Sequence, residues 1–291
     1  MGEIEAKYLF FGMGYAATAS ARAINAPNRI IGTSRNESGV KNLKKQNYQA
    51  YVFDGEQPNE KLFPIIENAT HIIHSIAPNE NGDAVFTHFQ RQLEKAKNIK
   101  WLCYYSTIGV YGNHNGLWID EGAKCEPENI RSIWRLKAEQ LWQEFAKKQG
   151  IPLLILRLAG IYGNGRSAFE KLKSGKAKRI IKDNQVFNRI HVKDIAQVTK
   201  LAARQELSGI YNLCDDEPAP PQEVVLFAAN MAGVTPPKEE FFATANMSKM
   251  ARSFYNDNKR VSNNAIKKAL DIELFYPTYR QGLEAIYLDQ K

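Results

Sequence analysis

The chain has 291 residues, of which 44% are hydrophobic and 24% charged, enough for one large α/β domain or for a domain with a smaller lobe. Its net charge of +8 favours anionic ligands but selects no fold, and without a run of about 18 apolar residues no membrane span is expected. Cys103, Cys125 and Cys214 fit neither a zinc spacing nor a disulfide framework, which predicts a cytoplasmic protein without a bound metal.

A strand followed by a helix is predicted at the start of the chain. Residues 8–11 form an uninterrupted apolar run, typical of a strand that is buried on both faces. An alanine-rich helix follows and continues to about Ala26, because Pro27 cannot extend it.

The turn between this strand and helix has the spacing G-x-G-x-x-A, formed by Gly12, Gly14 and Ala17. In a βαβ unit the first glycine permits a tight turn, and the second lets the backbone approach a pyrophosphate. The helix N-terminus, here Tyr15 and Ala16, offers N–H groups and a positive dipole end to the phosphates. We therefore predict a dinucleotide site at Gly12, Gly14, Tyr15 and Ala16; the alternative is a glycine turn that binds nothing.

The second predicted strand, 29–35, lacks the acidic residue that accepts hydrogen bonds from the ribose of NAD. It ends instead in Thr33, Ser34 and Arg35. A guanidinium group pairs well with a 2′-phosphate, and the hydroxyl groups can donate to the same phosphate. The sequence therefore favours NADP as the cofactor, with NAD as the second choice; the alternative is a surface arginine without this role.

Strands and helices continue to alternate up to residue 106, which predicts an α/β fold with a doubly wound parallel sheet. Predicted strands at 48–53, 70–76 and 101–106 are separated by helices at about 37–46, 59–67 and 83–97, with a kink at Pro64 in the second helix.

Ligands of such sheets bind at the carboxyl ends of the strands. Asp54 follows the third strand, and Ser75, Ala77 and Pro78 follow or end the fourth. We therefore add these four residues to the predicted cofactor site. Asp54 could instead cap the next helix.

Several ordered motifs resemble one family. Residues 106–112, STIGVYG, match the S-[ST]-x-x-V-Y-G signature of extended short-chain dehydrogenases/reductases, the class that includes the NAD-dependent epimerase/dehydratase superfamily. Residues 156–163, 188–196 and 209–213 match later motifs of the same class. The phrase NKRVSN at 258–263 is similar to that of an atypical YeeZ-type bacterial subgroup.

The resemblance implies a Rossmann-like fold with a small C-terminal substrate lobe. The dinucleotide-binding domain would span 1–165, with its sheet completed by about 186–214, and the lobe would comprise 166–185 and 215–291. The resemblance also implies that a homodimer can form through the helices that follow the fourth and fifth strands.

The family's catalytic Tyr-x-x-x-Lys pair is missing. Aligning Ala138 and Glu139 with the [AS]-E that usually follows the pair places Arg131 at the tyrosine position and Arg135 at the lysine position. Anchoring on Lys137 instead gives an isoleucine, and there is no tyrosine between residues 111 and 162. An arginine cannot exchange a proton near pH 7.

Four residues are nevertheless predicted to be catalytic. The resemblance assigns the hydroxyl group that holds the substrate oxygen to Thr107, with Ser106 beside it, and Thr107 is also predicted to contact the cofactor. Arg131 and Arg135 repel each other at this spacing, so either Glu139 neutralises Arg135 or a substrate anion binds between them.

Tyr111, Arg189 and Arg260 are predicted substrate contacts. The alternatives are a structural tyrosine and, for Arg260, a surface salt bridge. His191 could be an acid/base by its ordinary pKa, but the resemblance implies a structural segment there, with Asp194 capping the next helix.

Three functions follow from these observations. The first is an NADP-dependent oxidoreductase acting on an anionic small molecule of the carbonyl or sugar-nucleotide-like class. The second is a non-catalytic dinucleotide sensor or partner-binding protein that has lost the catalytic pair. A nucleic-acid-binding protein using the basic run at 171–182 is disfavoured, because no interleaved aromatic residues accompany that run.

Overall fold

The computed structural model describes residues 5–290. In chain order its strands are β1 Tyr8–Phe11, β2 Ile30–Ser34, β3 Gln49–Val52, β4 His71–His74, β5 Trp101–Thr107, β6 Trp118–Ile119, β7 Leu153–Leu158, β8 Gly160–Tyr162, β9 Arg179–Ile181, β10 Arg189–His191, β11 Gly209–Leu213, β12 Glu239–Phe241 and β13 Arg260–Val261. Its helices are α1 Tyr15–Ile24, α2 Glu37–Lys44, α3 Phe63–Asn68, α4 Ala84–Lys95, α5 Ile130–Gln149, α6 Ala168–Lys173, α7 Val192–Gln205, α8 Pro221–Ala232, α9 Lys249–Ser253, α10 Asn264–Leu270 and α11 Tyr279–Leu288.

A seven-stranded sheet has the order β11-β7-β5-β4-β1-β2-β3. The pairs β1–β2, β2–β3, β1–β4 and β4–β5 are parallel. From β1 the chain first builds outward to β3 and then returns to place β4 on the other side of β1. The predicted doubly wound sheet is therefore confirmed, and its topological switch point lies between β1 and β4, where such sheets bind ligands.

The chain divides into two compact units. The first unit comprises 5–107, 130–157 and 195–211, and the second comprises 108–129, 158–194 and 212–290. Residues 108–129 and 158–165 thus group with the second unit, although the sequence analysis placed them in the dinucleotide-binding domain. For 108–129 the reason is a strand pair within the second unit, in which β6 lies parallel to β13 with Trp118 opposite Arg260.

The core of the first unit is formed by strand residues and by single faces of two helices. Leu9 and Phe11 of β1 are completely buried. Val85, Phe89 and Leu93 recur at helical spacing along α4 and contribute one buried face to the same cluster, together with Trp142 and Phe145 of α5.

The second unit contains three short parallel strand pairs, β8–β10, β9–β12 and β6–β13. Its larger apolar cluster includes Tyr162, Phe169, Ala228, Tyr279 and Leu283. A smaller cluster is built on Ile180, Ala245 and Tyr255.

Two predicted helix features are wrong. Helix α1 ends at Ile24 rather than near Ala26, because Asn25 adopts the left-handed conformation (φ 55°) and its N–H donates to the Ala21 carbonyl. Pro64 does not kink a helix, because it lies in the first turn of α3. Backbone N–H groups of a first turn have no partner within the helix, so proline loses no hydrogen bond there. Within residues 5–290, no helix is both long and apolar enough to cross a membrane.

Candidate functional site

The glycine turn after β1 is held by hydrogen bonds to the neighbouring strands. The Gly12 N–H donates to Thr33 Oγ1 at 2.8 Å, and the Met13 N–H donates to the Thr33 carbonyl at 2.8 Å. On the other side, the Ser75 hydroxyl donates to the Gly12 carbonyl. The turn is therefore fixed between β2 and β4, the two strands that flank β1.

Only glycine fits the first position of this turn. Gly12 has φ +82°, and a Cβ there would lie 2.7 Å from Cγ1 of Ile76. Gly14 is different, because it is exposed and a Cβ there would have only the Gly12 carbonyl at 4.0 Å. The space beside Gly14 is thus open to a ligand, as the approach of a phosphate requires.

The N-terminus of α1 is suited to an anion. The N-cap residue is Gly14, which has no side chain to cap the helix, and the first turn carries no acidic residue. Tyr15 is half-buried and Ala16 is buried at this terminus. Backbone N–H groups and the helix dipole there favour a phosphate.

The end of β2 differs from the prediction in one residue. Thr33 is completely buried and its hydroxyl accepts the Gly12 N–H, so it holds the turn rather than facing a phosphate. Ser34 is half-buried and Arg35 is exposed directly after it. Of the three candidates for a 2′-phosphate, Ser34 and Arg35 retain the required access.

The other predicted cofactor residues follow β3 and β4. Asp54 is exposed, and its Oδ1 accepts the Glu56 N–H at 2.9 Å in a turn, so it does not cap a helix. Ala77 is exposed and Pro78 is buried. The roles of these residues toward a cofactor stay predictions.

Ser106 and Thr107 end β5 in different environments. Ser106 is buried and donates to Glu139 Oε1, and Arg157 Nη2 pairs with Glu139 Oε2 at 2.8 Å. Ser106 therefore belongs to a buried network that connects β5, α5 and β7. Thr107 is half-buried at the carboxyl end of the strand.

This network corrects one expectation about the arginines of α5. Glu139 pairs with Arg157, 18 residues along the chain, rather than with Arg135. Arg135 instead donates to the Tyr105 carbonyl at 2.8 Å and to Tyr104 Oη at 3.2 Å.

Arg135 is half-buried, and Arg131 lies exposed one turn earlier on α5. The guanidinium of Arg135 is 5.4 Å from the centre of the Tyr104 ring. It is therefore held at the end of β5 by a carbonyl, a hydroxyl and an aromatic face.

The tyrosines near these motifs are poor proton donors. Burial raises the pKa of Tyr104 and of Tyr105. Burial also raises the pKa of Tyr162, and the Tyr111 hydroxyl donates to Asn212 Oδ1 at 2.7 Å in a completely buried position.

Arg189 and Arg260 contact backbone carbonyls within the second unit. Arg189 donates to the carbonyls of Phe187, at 2.8 Å, and Ala219, at 3.1 Å. Arg260 donates to the Gly116 carbonyl, so both arginines have a structural contact, and that of Arg260 is not the salt bridge considered above. Their contact with a substrate stays a prediction.

The subgroup phrase at 258–263 and the family motif at 188–196 are joined in the second unit, a connection that the sequence did not reveal. Asn188 Nδ2 donates to the Lys259 carbonyl at 2.9 Å, and the Val261 N–H donates to Asn188 Oδ1 at 2.9 Å. Lys259 is buried, and its Nζ donates to the Gly112 carbonyl at 2.6 Å. The asparagines in both phrases were the available signal, since buried amides require partners.

His191 and Asp194 lie buried in the second unit. Burial and the Lys193 charge lower the pKa of His191 to about 4, so the imidazole is neutral near pH 7. Asp194 lies within α7 and its Oδ1 accepts the Phe275 N–H at 2.6 Å, so the expected capping role is wrong. Among the residues described, no group of three or more His, Cys, Asp or Glu side chains could hold a metal.

Comparisons with known proteins place the chain in a family. The model of the NAD dependent epimerase/dehydratase family matches residues 14–214, and a search of curated proteins found no match. A solved structure of a functionally unknown conserved protein from Silicibacter pomeroyi is 42% identical, with 98% of this chain and 99% of that chain covered and a TM-score of 0.87.

Two more distant structures share the fold. A dTDP-glucose 4,6-dehydratase from Bacillus anthracis, in complex with NAD, is 19% identical over 97% of this chain and 96% of its own, with a TM-score of 0.76. A UDP-glucuronic acid 4-epimerase from Bacillus cereus, also with NAD, is 16% identical over 97% of both chains, with a TM-score of 0.76. The YeeZ-type subgroup stays a prediction. By its family model, the chain belongs to the NAD-dependent epimerase/dehydratase family.

Proposed function

We propose that this protein binds NADP in preference to NAD and acts as an oxidoreductase on an anionic small molecule of the carbonyl or sugar-nucleotide-like class. The observation that carries the proposal is the glycine turn at the switch point of the sheet, with the exposed Arg35 at the end of the adjacent strand β2.

The residues of the first unit fit a dinucleotide. Gly14 leaves open space for a pyrophosphate, and the uncapped N-terminus of α1 supplies N–H donors to it. When bound, the nicotinamide supplies hydride transfer.

The preference for NADP depends on charge at the end of β2. No carboxylate stands there to accept hydrogen bonds from a ribose 2′-hydroxyl, and a carboxylate would repel a 2′-phosphate. Arg35 can form charge-assisted hydrogen bonds to that phosphate, and the Ser34 hydroxyl can add another.

Arg131 and Arg135 support an anionic substrate. They lie one turn apart on α5, and like charges at this spacing destabilise a helix. Because Glu139 pairs with Arg157, it does not compensate Arg135. A substrate carboxylate or phosphate could pair with these guanidinium groups, and the Thr107 hydroxyl would hold the reacting oxygen.

The test is a fluorescence titration of the wild type and of Arg35→Ala with NADPH and with NADH. Arg91→Ala is the control, because Arg91 is another exposed arginine of the first unit. We expect Arg35→Ala to weaken NADPH binding by about tenfold or more, the loss of one charged hydrogen bond, and to leave NADH unchanged. Equal weakening of both nucleotides would contradict the NADP preference. Absence of binding by either would contradict the dinucleotide site.

A second candidate is a non-catalytic dinucleotide sensor. It is favoured by the missing tyrosine and by the buried hydroxyls of Tyr104, Tyr105 and Tyr111. Turnover of NADPH with a panel of carbonyl compounds and sugar nucleotides, abolished by Thr107→Ala, would support the enzyme. NADPH binding without turnover, accompanied by a nucleotide-dependent change in sedimentation, would support the sensor.

A further inference from the structure

Most of the net positive charge of the chain lies in two segments of the second unit, residues 171–182 and 238–255, which together are named the basic patch here. The two segments contain nine Lys or Arg and only two Glu, a net charge of +7, whereas the whole chain carries +8. Such an uneven distribution creates a local positive potential, which attracts a negatively charged partner.

The fold joins the two segments of the basic patch. Strand β9 of the first segment lies parallel to strand β12 of the second. Lys178 Nζ pairs with Glu240 Oε2 at 3.2 Å and donates to the Asn246 carbonyl at 2.9 Å. Lys182 Nζ donates to the Tyr255 carbonyl. The charges of both segments therefore belong to one region of the unit.

The basic patch also exposes three large apolar side chains. Phe241 is 67% exposed, Met250 53% and Phe254 61%. Their neighbours Phe242 and Tyr255 are packed instead, with ring centres 5.0 Å apart in a stacked arrangement. The basic run contains no aromatic residue, so the fold supplies these side chains from a distant part of the chain. Grouped apolar side chains at the surface mark interaction sites.

The cations that stay available in the basic patch are lysines. Its two arginines already have partners, because Arg179 pairs with Glu239 at 2.6 Å and Arg252 donates to backbone carbonyls at 2.7 and 3.0 Å. Four lysines are exposed and form no ion pair within residues 5–290: Lys171, Lys176, Lys238 and Lys249.

This combination of groups favours a lipid surface over a nucleic acid. Lysine is a compact hydrated charge that responds to a diffuse negative potential, whereas the bidentate recognition of a phosphate relies on arginine. Stacking on bases would use the two phenylalanine rings but not Met250. A bilayer accepts all three apolar side chains at the level of its headgroups, and anionic lipids attract the lysines.

We propose that the basic patch binds an anionic membrane surface, with its exposed lysines at the lipid headgroups and with Phe241, Met250 and Phe254 inserted between them. The proposal uses residues of the second unit alone and does not depend on the proposed nucleotide function.

The test is cosedimentation of the full chain, without nucleotide, with vesicles of phosphatidylcholine alone or with about 30% phosphatidylglycerol. We expect at least about tenfold tighter binding to the anionic vesicles, weakened by added salt. The pair Lys171→Glu and Lys176→Glu should weaken this binding by about tenfold or more. The control pair Lys41→Glu and Lys44→Glu removes the same charge from exposed positions of α2 and should bind nearly as tightly as the wild type.

A second pair of variants tests the apolar contribution at constant charge. Phe241→Ser with Phe254→Ser should bind anionic vesicles about fivefold or more weakly, because less apolar surface leaves water. Phe275→Ser is the control, since Phe275 is 62% exposed in the same unit but lies outside the basic patch. All the substituted side chains are exposed, so each variant should unfold at the wild-type urea midpoint.

Three results would overturn the proposal. The first is equal binding, or no binding, to neutral and anionic vesicles. The second is equal weakening by the two lysine pairs, which would mean that only the net charge of the chain matters. The third is tighter binding to a single-stranded oligonucleotide or to polyglutamate than to the anionic vesicles, which would assign the basic patch to a nucleic acid or to an acidic polypeptide.

Discussion

The buried pair of Glu139 and Arg157 provides the sharpest test of how the first unit is held together. The side-chain exposure is 0% for Glu139 and 5% for Arg157, and three hydrogen bonds of 2.8 to 3.3 Å join the two groups. The substitution Glu139→Gln keeps the shape of the side chain but removes the carboxylate charge that faces the buried guanidinium. We expect the free energy of unfolding to fall by about 3 to 5 kcal/mol, the usual cost of removing one partner of a buried pair.

The assay is equilibrium unfolding in urea, read as a lower midpoint at an unchanged slope. Glu94→Gln is the matched control, because Glu94 pairs with Lys148 at 3.7 Å and their side chains are 36% and 73% exposed. That substitution should change stability by less than about 1 kcal/mol. The double variant Glu139→Leu with Arg157→Met should recover most of the loss, since it removes both buried charges together.

One result would refute this reasoning. A Glu139→Gln variant within about 1 kcal/mol of the wild type would mean that Arg157 is solvated or compensated elsewhere. The network would then not connect β5, α5 and β7 in the way that the geometry indicates.

Three further predictions concern the glycine turn and the pH dependence of stability. Gly12→Ala should lower the free energy of unfolding by about 2 to 4 kcal/mol, because the residue would have a left-handed φ and its Cβ would clash with Ile76. The control Gly150→Ala has a similar φ of +68° but open space around the new Cβ, so it should lose only about 1 to 2 kcal/mol. Both values are measured by urea titration. Since the pKa of Asp194 is raised to about 6 in the folded state, its contribution to stability falls as pH rises from 4 to 6, by about 3 kcal/mol, and Asp194→Asn should abolish that fall. The pKa of His191 is lowered to about 4, so the contribution of His191 to the free energy of unfolding rises by a similar amount between pH 4 and 6.5. His191→Gln should remove that rise. A pH profile of stability that neither substitution changes would contradict both assignments.

The sequence predicted those features that depend on local patterns. The apolar run at Tyr8–Phe11 forms a buried strand, and the glycine spacing after it predicts the turn that is observed. The alternation of strands and helices predicted the parallel sheet, because each strand and each helix is long enough for its hydrophobic pattern to be recognised. Two-residue strands such as β6 and β13 have no such periodicity, so the grouping of 108–129 with the second unit could not be anticipated.

The candidate site was less predictable, because its partners are distant in sequence. Glu139 has Arg135 one turn away on α5, yet it pairs with Arg157 on strand β7, because Glu139 and Arg157 are both buried and each needs a buried partner of opposite charge. Thr33 is a second example. A hydroxyl group at the end of a strand can bind a ligand or accept a hydrogen bond from a neighbouring N–H, and the sequence does not distinguish the two. In the fold, the Thr33 hydroxyl accepts the Gly12 N–H.

In the proposed oxidoreductase, chemistry of another kind would take the place of the family's proton-transferring tyrosine. Burial raises the pKa of Tyr104 and Tyr105, and the His191 imidazole is neutral and buried near pH 7. Guanidinium groups such as those of Arg131 and Arg135 can stabilise a negative charge that develops on a substrate but do not deliver a proton to it. Such an oxidoreductase would therefore lower its barrier through fixed positive charge on α5 together with the Thr107 hydroxyl, and the proton would come from solvent or from the substrate itself.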